Sequence, residues 1–338
     1  MRHDMMHEVD RGPYESTVTP WEQETWREAA LRWAEQGLAA HGLRETGRRS
    51  VRVRPWSVLV RMPVAGQGSV WFKANPPASS FEAGLGEALA RWVPDHVLRP
   101  LAVDAERGWS LLPDGGTLFA DVLGDGPAAP RAWEEPLRQY ADMQRKLIPY
   151  AERLDALGVP SGRTAVLPEL FDRLVEANTA LESSDREALR ALRPLLLDWC
   201  AELAGTGIGD SLDHSDLHES QLFAPGPGRF TFFDWGDATV AHPFTSLLVT
   251  ARVTRARYGP QALPRLRDAY LEPWTGDGRT AAELRRAVSL ACRVGAIGRA
   301  GAWGRLFPGT YGGQGGAGSI GDPDVARWLR ELLSEPLL

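Results

Sequence analysis

The stretch from Leu212 to Asp237, LDHSDLHESQLFAPGPGRFTFFDWGD, leaves its own backbone few options. Two short apolar runs, Leu222-Phe223 and Phe230-Thr231-Phe232-Phe233, flank the turn Pro225-Gly226-Pro227-Gly228. Apolar runs joined by a Pro/Gly turn predict a β-hairpin. His214, Asp216, His218 and Gln221 lie in or next to the polar run before the first strand, and Asp234 ends the second. The hairpin therefore carries a carboxylate at each side of its mouth.

That layout suits phosphoryl transfer. One carboxylate orients or deprotonates an attacking hydroxyl, while an amide and a second carboxylate hold Mg²⁺ against nucleotide phosphates. The block resembles the aminoglycoside phosphotransferase and choline kinase-like branch of the protein-kinase fold. That branch carries H-x-D-x-x-x-x-N, an apolar strand, a turn, and I-D-[WF]. Here the first motif reads His214-Ser215-Asp216-Leu217-His218-Glu219-Ser220-Gln221 and the second Phe233-Asp234-Trp235. Gln221 stands where the family has Asn, with the same carbonyl on an arm one methylene longer. The resemblance implies Asp216 as the catalytic carboxylate, Gln221 and Asp234 as Mg²⁺ ligands, and ATP (or GTP) as phosphate donor.

Two other readings use the same residues. His214, Asp216 and His218 together match the ligand chemistry of zinc or iron, which would make a metal-dependent hydrolase. A catalytically inactive nucleotide-binding relative follows if Gln221 cannot support Mg²⁺. His218 is expected to support the loop. Asp213 and Asp237 are expected to satisfy nearby backbone amides.

The rest of the chain sets looser bounds. Its 338 residues suffice for two domains, each with a core. A net charge of -6 argues against non-specific nucleic-acid binding. Cys200 and Cys292 sit in apolar helical contexts and read as buried free thiols, in keeping with a reducing cytoplasm. The opening MRHDMMHEVDRG lacks the apolar core of a signal peptide, and no apolar run is long enough to span a bilayer.

Thr19-Pro20-Trp21-Glu22 is a capping box with Pro at the first helical position, so a helix is expected over residues 20–41. Trp21, Trp26 and Trp33 on it read as packing residues. Strand-like runs follow at residues 50–54, 57–64 and 69–74, then a Ser80-capped helix over 81–92 and strands at 97–103 and 109–112. The resemblance gives these residues roles. Lys73, on the third of the first three runs, would bind the α- and β-phosphates, a solvated edge lysine being the alternative. Glu82 would hold it, with Glu87 as runner-up. Ser57 lies in the loop expected over the phosphates. Leu112 and Asp114 belong to a hinge, residues 111–118, whose backbone would meet the adenine edge.

From about residue 119 the pattern turns helical, with helices expected over 133–150, 168–183, 186–204, 241–258, 260–273, 280–307 and 323–333. The family often has an Asp at the position of Ser246, anchoring the catalytic loop, so another group must do that here. Residues 308–321 are glycine-rich and read as a linker or as a lid edged by Trp303, Phe307 and Tyr311. The expected fold is α+β and bilobal. An N-terminal nucleotide-binding lobe (1–113) would hold a small antiparallel sheet, and a mainly helical lobe (114–338) the catalytic and substrate-binding residues. The acceptor would be a small hydroxyl compound, with Glu134, Glu135 and Asp142 either facing a cationic aminoglycoside or forming a solvated helix face.

Overall fold

The structure is a computed structural model and describes residues 8–15, 19–66, 68–124, 129–306 and 322–338. The chain divides into two compact units, one of residues 1–115 with 305–316 and the other of residues 116–304 with 317–338.

The first unit is built on a six-stranded sheet. Its strands are β1 (Glu8–Asp10), β2 (Ser50–Arg54), β3 (Ser57–Val64), β4 (Gly68–Ala74), β5 (Ala102–Asp104) and β6 (Trp109–Pro113), in the order β1-β2-β3-β4-β6-β5. All neighbours are antiparallel except β1 and β2, which run parallel. The expected strand over 97–103 shortens to β5, since Pro100 has no N–H to give a ladder.

Two helices flank this sheet: α1 (Glu24–Ala40) and α2 (Phe81–Trp92). Residues 20–41 do not form one helix. Thr19 makes its capping box around a 3₁₀ turn, Pro20–Glu22, and α1 starts afresh after Gln23. Period-two alternation in β4 sends Phe72 and Lys73 to opposite faces. Phe72 meets Trp26 and Trp33 of α1 edge-on at 6.4 and 5.9 Å, and Trp109 at 5.6 Å. This aromatic cluster closes the core of the unit. Gly37 permits the close fit, because a Cβ there would stand 2.7 Å from Leu111. Ser80 does not cap α2 with its side chain; its hydroxyl donates back to the Pro77 carbonyl.

The second unit is mainly helical. Its helices are α3 (Phe119–Leu123), α4 (Glu134–Leu147), α5 (Ala151–Ala156), α6 (Leu167–Ala177), α7 (Ser183–Ala204), α8 (Leu247–Tyr258), α9 (Leu263–Leu271), α10 (Ala281–Leu306) and α11 (Asp322–Glu331). The helix expected over 168–183 stops at Ala177, because the Asn178 carboxamide accepts the N–H groups of Ala180 and Leu181. The segment 241–258 opens as strand and 3₁₀ turn before α8 begins at Leu247. Cys200 and Cys292 are buried free thiols. No helix among the described residues is long and apolar enough to cross a membrane.

Two small antiparallel ladders carry the motif block. Strand β7 (Ser211–Asp213) pairs with β10 (Thr239–Ala241), and β8 (Leu222–Gly226) with β9 (Arg229–Phe232) as the hairpin. Helix α4 underpins both. Its Gln144 is fully buried and donates to the carbonyls of Leu212 and Pro243 at 2.8 and 3.0 Å, while Tyr270 donates to its Oε1 at 2.6 Å. A buried carboxamide with these partners fixes the backbone on either side of the motif.

Candidate active site

In the second unit, β7 ends at Asp213, whose buried carboxylate organises the next turn. It accepts the Ser215 N–H and hydroxyl, each at 2.9 Å, and the Ser246 hydroxyl at 2.6 Å. These bonds hold Ser215 at φ 60°, a left-handed conformation that is costly for a side-chain-bearing residue. Ser246 also receives the His214 N–H at 3.3 Å. The carboxylate that anchors the loop therefore comes from Asp213, reached through the serine at 246. That is the group the sequence left unnamed.

His214 is fully buried. Its Nε2 donates to the Phe233 carbonyl at 2.9 Å, and its ring lies 4.7 Å from that of Trp235. Thr250 of α8 donates to the Leu217 carbonyl at 2.8 Å. His218 Nδ1 accepts the Ser220 N–H at 3.2 Å, a loop-supporting contact. The Gln221 main chain bonds to His218 and Phe233, so the start of β8 is locked to the end of β9. Gln221 and Asp234 consequently adjoin. The end of the Gln221 carboxamide lies 3.3 Å from Asp234 Oδ2 and 3.2 Å from the Ser220 carbonyl, and it donates to both once its nitrogen is assigned to that side. Asp234 itself is held at φ 66°.

Asp216 is gripped by a residue that sequence reasoning missed. Arg299 of α10, with a side chain only 6% exposed, donates from Nη2 to Asp216 Oδ1 at 2.7 Å and from Nη1 to Asp237 Oδ2 at 2.6 Å. Asp237 is therefore an ion-pair partner of Arg299 rather than a loop-satisfying carboxylate. The second Asp216 oxygen, Oδ2, lies 3.7 Å from His218 Nε2, within ion-pair range but long for a hydrogen bond. Burial pushes the Asp216 carboxyl up, but the Arg299 charge and His218 outweigh it and hold it below the ordinary carboxylate range. His218 shifts the other way. Burial pulls its pKa down, and contact with Asp216 together with the charges of Glu219 and Asp234 brings it above normal.

In the first unit, Lys73 Nζ donates to Glu82 Oε1 at 2.7 Å, both side chains being buried. Asn75, another residue missed in the sequence, donates to Glu82 Oε2 and to the Ser79 carbonyl. Glu87 instead forms an exposed i,i+4 pair with Arg91. Ser57 is buried at the first position of β3, opposite Arg54. Trp56, at the tip of that hairpin, meets Tyr14 edge-on at 5.1 Å, and Arg54 pairs with Asp10 at 2.8 Å. Leu112 lies in β6 opposite Trp71, and Asp114 is exposed just beyond it.

The alternative metal set does not assemble: among the described residues no group of three His, Cys, Asp or Glu side chains could hold a metal ion, and His214 spends its Nε2 on a carbonyl. Glu134 is paired with Arg265 and Arg138, and Glu135 bonds to Gln139. Phe307, Tyr311 and the glycine-rich segment 308–321 lie outside the described residues.

No family model matches the chain, and no curated protein matches it. Solved structures do. An ethanolamine kinase from Plasmodium vivax is 13% identical with a TM-score of 0.57, the alignment covering 92% of this chain and 88% of that one. A choline kinase from Streptococcus pneumoniae is 11% identical with a TM-score of 0.55, covering 90% of this chain and 98% of that one. The aminoglycoside phosphotransferase APH(2")-IIIa, in complex with GDP and kanamycin, is 15% identical with a TM-score of 0.54, covering 90% and 97%. The chain has the protein-kinase-like fold shared by the aminoglycoside phosphotransferases and the choline and ethanolamine kinases.

Proposed function

We propose that the chain is a small-molecule kinase that moves the γ-phosphate of ATP (or GTP) to a hydroxyl of an aminoglycoside-like antibiotic, an amino alcohol or a related metabolite. One observation carries the reading. In a chain with this fold, an ionised Asp216 fixed by Arg299 stands in the same short segment as an adjoining Gln221 and Asp234. Nucleotide use is supported by the GDP complex among the similar structures, and a small hydroxyl acceptor by their kanamycin, choline and ethanolamine names.

Asp216 accepts the hydrogen bond of the acceptor hydroxyl and aims its oxygen at the γ-phosphorus. A P–O bond to that oxygen forms as the bond to the bridging oxygen breaks, and the released proton passes to the Asp216 carboxylate. Because its pKa is lowered, Asp216 is a weak base, and it works chiefly by orientation, with the proton moving late. Lys73, held by a Glu82 that Asn75 fixes in turn, neutralises the α- and β-phosphates. Ser57, Leu112 and Asp114 contact the nucleotide.

The Gln221 and Asp234 oxygens fit a hard divalent cation. The end of the Gln221 carboxamide stands 3.3 Å from Asp234 Oδ2, so its carbonyl and the carboxylate would serve as two oxygen ligands side by side. Mg²⁺ held there would neutralise charge building on the phosphates. The test is a transfer assay with ATP and GTP against a panel of aminoglycosides, amino alcohols, homoserine-like metabolites and sugars, with products detected by mass. Mass gain of 80 Da on one class supports the reading, about 80 Da being one phosphoryl group. Nucleotide binding with transfer to none of them points to the inactive relative.

A further inference from the structure

We infer that Arg299 is a positioning residue for this transfer. It bridges Asp216 and Asp237, occupies one Asp216 oxygen, and leaves the other to receive the acceptor hydroxyl. The inference rests on the kinase reading of Asp216 and adds to it a residue from the far end of the second unit's sequence.

The geometry is that of a fork with both prongs used. Nη2 binds Asp216 Oδ1 and Nη1 binds Asp237 Oδ2, at 2.7 and 2.6 Å. A planar guanidinium can serve two carboxylates at fixed angles, which a lysine ammonium cannot. The rest of the side chain is confined. Trp303, one turn further along α10, lies 5.5 Å from the guanidinium carbon, and Trp328 of α11 lies 6.0 Å away. Helix α10 is itself pressed against the 3₁₀ turn Pro243–Ser246 that carries Ser246, since a Cβ at Gly295 would stand 3.3 Å from Thr245. A guanidinium this enclosed cannot follow Asp216 through rotamers, so it sets the rotamer.

The consequence for chemistry is an assignment of oxygens. Oδ1 is committed to Arg299, whereas among the described residues the ion-pair neighbour of Oδ2 is His218, at 3.7 Å. With the Asp216 side chain 22% exposed, Oδ2 is the oxygen open to a substrate hydroxyl. The charged and titratable groups facing this carboxylate are Arg299, His218 and His214, with Asp237 and Asp213 acting on Arg299. A purely structural arginine would tie α10 to the loop and leave the reaction's pH dependence alone. A positioning arginine changes both turnover and titration.

Three variants of the full chain separate these cases: R299M, R299K and the double variant R299M/D237N. The double variant removes one buried charge of each sign, so it keeps the charge balance that R299M upsets and guards against misfolding. Circular dichroism establishes folding. For R299M and R299M/D237N, kcat is expected to fall about 10²-fold with the nucleotide KM unchanged, the pattern of a misplaced reacting group. The acid limb of the kcat profile should move to higher pH. R299K should recover part of that pH shift and little of the turnover.

A second readout does not need turnover: the pH titration of the Asp216 carboxyl carbon, followed by NMR in ¹³C-aspartate-labelled protein and assigned with D216N. Its midpoint should rise in R299M/D237N. Wild-type kcat together with a wild-type midpoint in the folded double variant overturns the inference. If the wild-type protein transfers phosphate to no acceptor, the kinase reading fails by itself. The titration then decides whether Arg299 governs Asp216, and an unmoved midpoint overturns it.

Discussion

His214 Nε2 donates to the carbonyl oxygen of Phe233 at 2.9 Å, and so ties the loop that carries Asp216 to the strand end that presents Asp234. The bond explains why a histidine begins the motif although its ring is buried away from solvent. It also makes the relative placement of Asp216 and Asp234 depend on main-chain geometry at Phe233. His214→Ala should therefore lower transfer by roughly tenfold to a hundredfold while the protein stays folded, as a positioning loss does. Steady-state kinetics on the soluble variant check it.

Lys73 and Glu82 form a buried pair, and a lone buried charge is costly. Lys73→Met should destabilise the protein by about 3 kcal/mol and weaken nucleotide binding. Lys73→Met combined with Glu82→Gln should regain most of the stability and none of the binding. Urea unfolding read beside nucleotide calorimetry separates the two effects.

The length of the Gln221 arm is testable in both directions. Gln221→Ala should raise the Mg²⁺ concentration for half-maximal transfer by roughly 10- to 100-fold, the scale seen when metal sites lose a supporting group. Gln221→Asn restores the shorter arm of the resembling family and should retain activity. A Mg²⁺ titration of initial rates gives the answer.

Stability should fall on mild acidification because of His242. Burial, reinforced by the Arg279 charge, pushes this residue from 6.5 down to about 3. The folded ring stays neutral while the unfolded one binds a proton, so folding loses ground as pH drops below 6.5. The loss should reach about 2 kcal/mol near pH 5. His218 has the opposite sign. Its raised pKa contributes stability that is fully present below 6.5 and disappears as pH rises through the folded value. Asp216, with a lowered pKa, contributes stability lost only as pH falls below the ordinary carboxylate value of 3.8. Between pH 6.5 and 5 the fall should therefore belong to His242, and His242→Gln should flatten it in urea unfolding.

The local chemistry of the motif block was legible because short-range rules govern it. A Pro/Gly turn between apolar runs makes a hairpin, and the hairpin brings Gln221 to Asp234. Arg299 was not legible, since it reaches Asp216 across 83 positions from inside a helix. The one trace of it was a lone charge in the run Ala296-Ile297-Gly298-Arg299-Ala300-Gly301-Ala302, where solvated residues are otherwise absent. Asp213 as anchor was hidden for another reason: its contact with Ser246 depends on β7 pairing with β10, a tertiary event. Strand β1 carried no pattern at all, having three residues, and its parallel register comes from pairing alone. Helix starts and stops were misread where 3₁₀ turns intervene, as at Pro20 and Pro243, because proline favours both kinds of first turn.

The most direct test compares wild-type protein with Asp216→Ala for γ-phosphate transfer to the best acceptor, with nucleotide affinity measured on the same samples. Loss of at least about 10²-fold in kcat with nucleotide affinity preserved is the expected result, the scale of a missing acid–base group. Full turnover by Asp216→Ala would contradict the assignment of this carboxylate as the group that receives the acceptor hydroxyl.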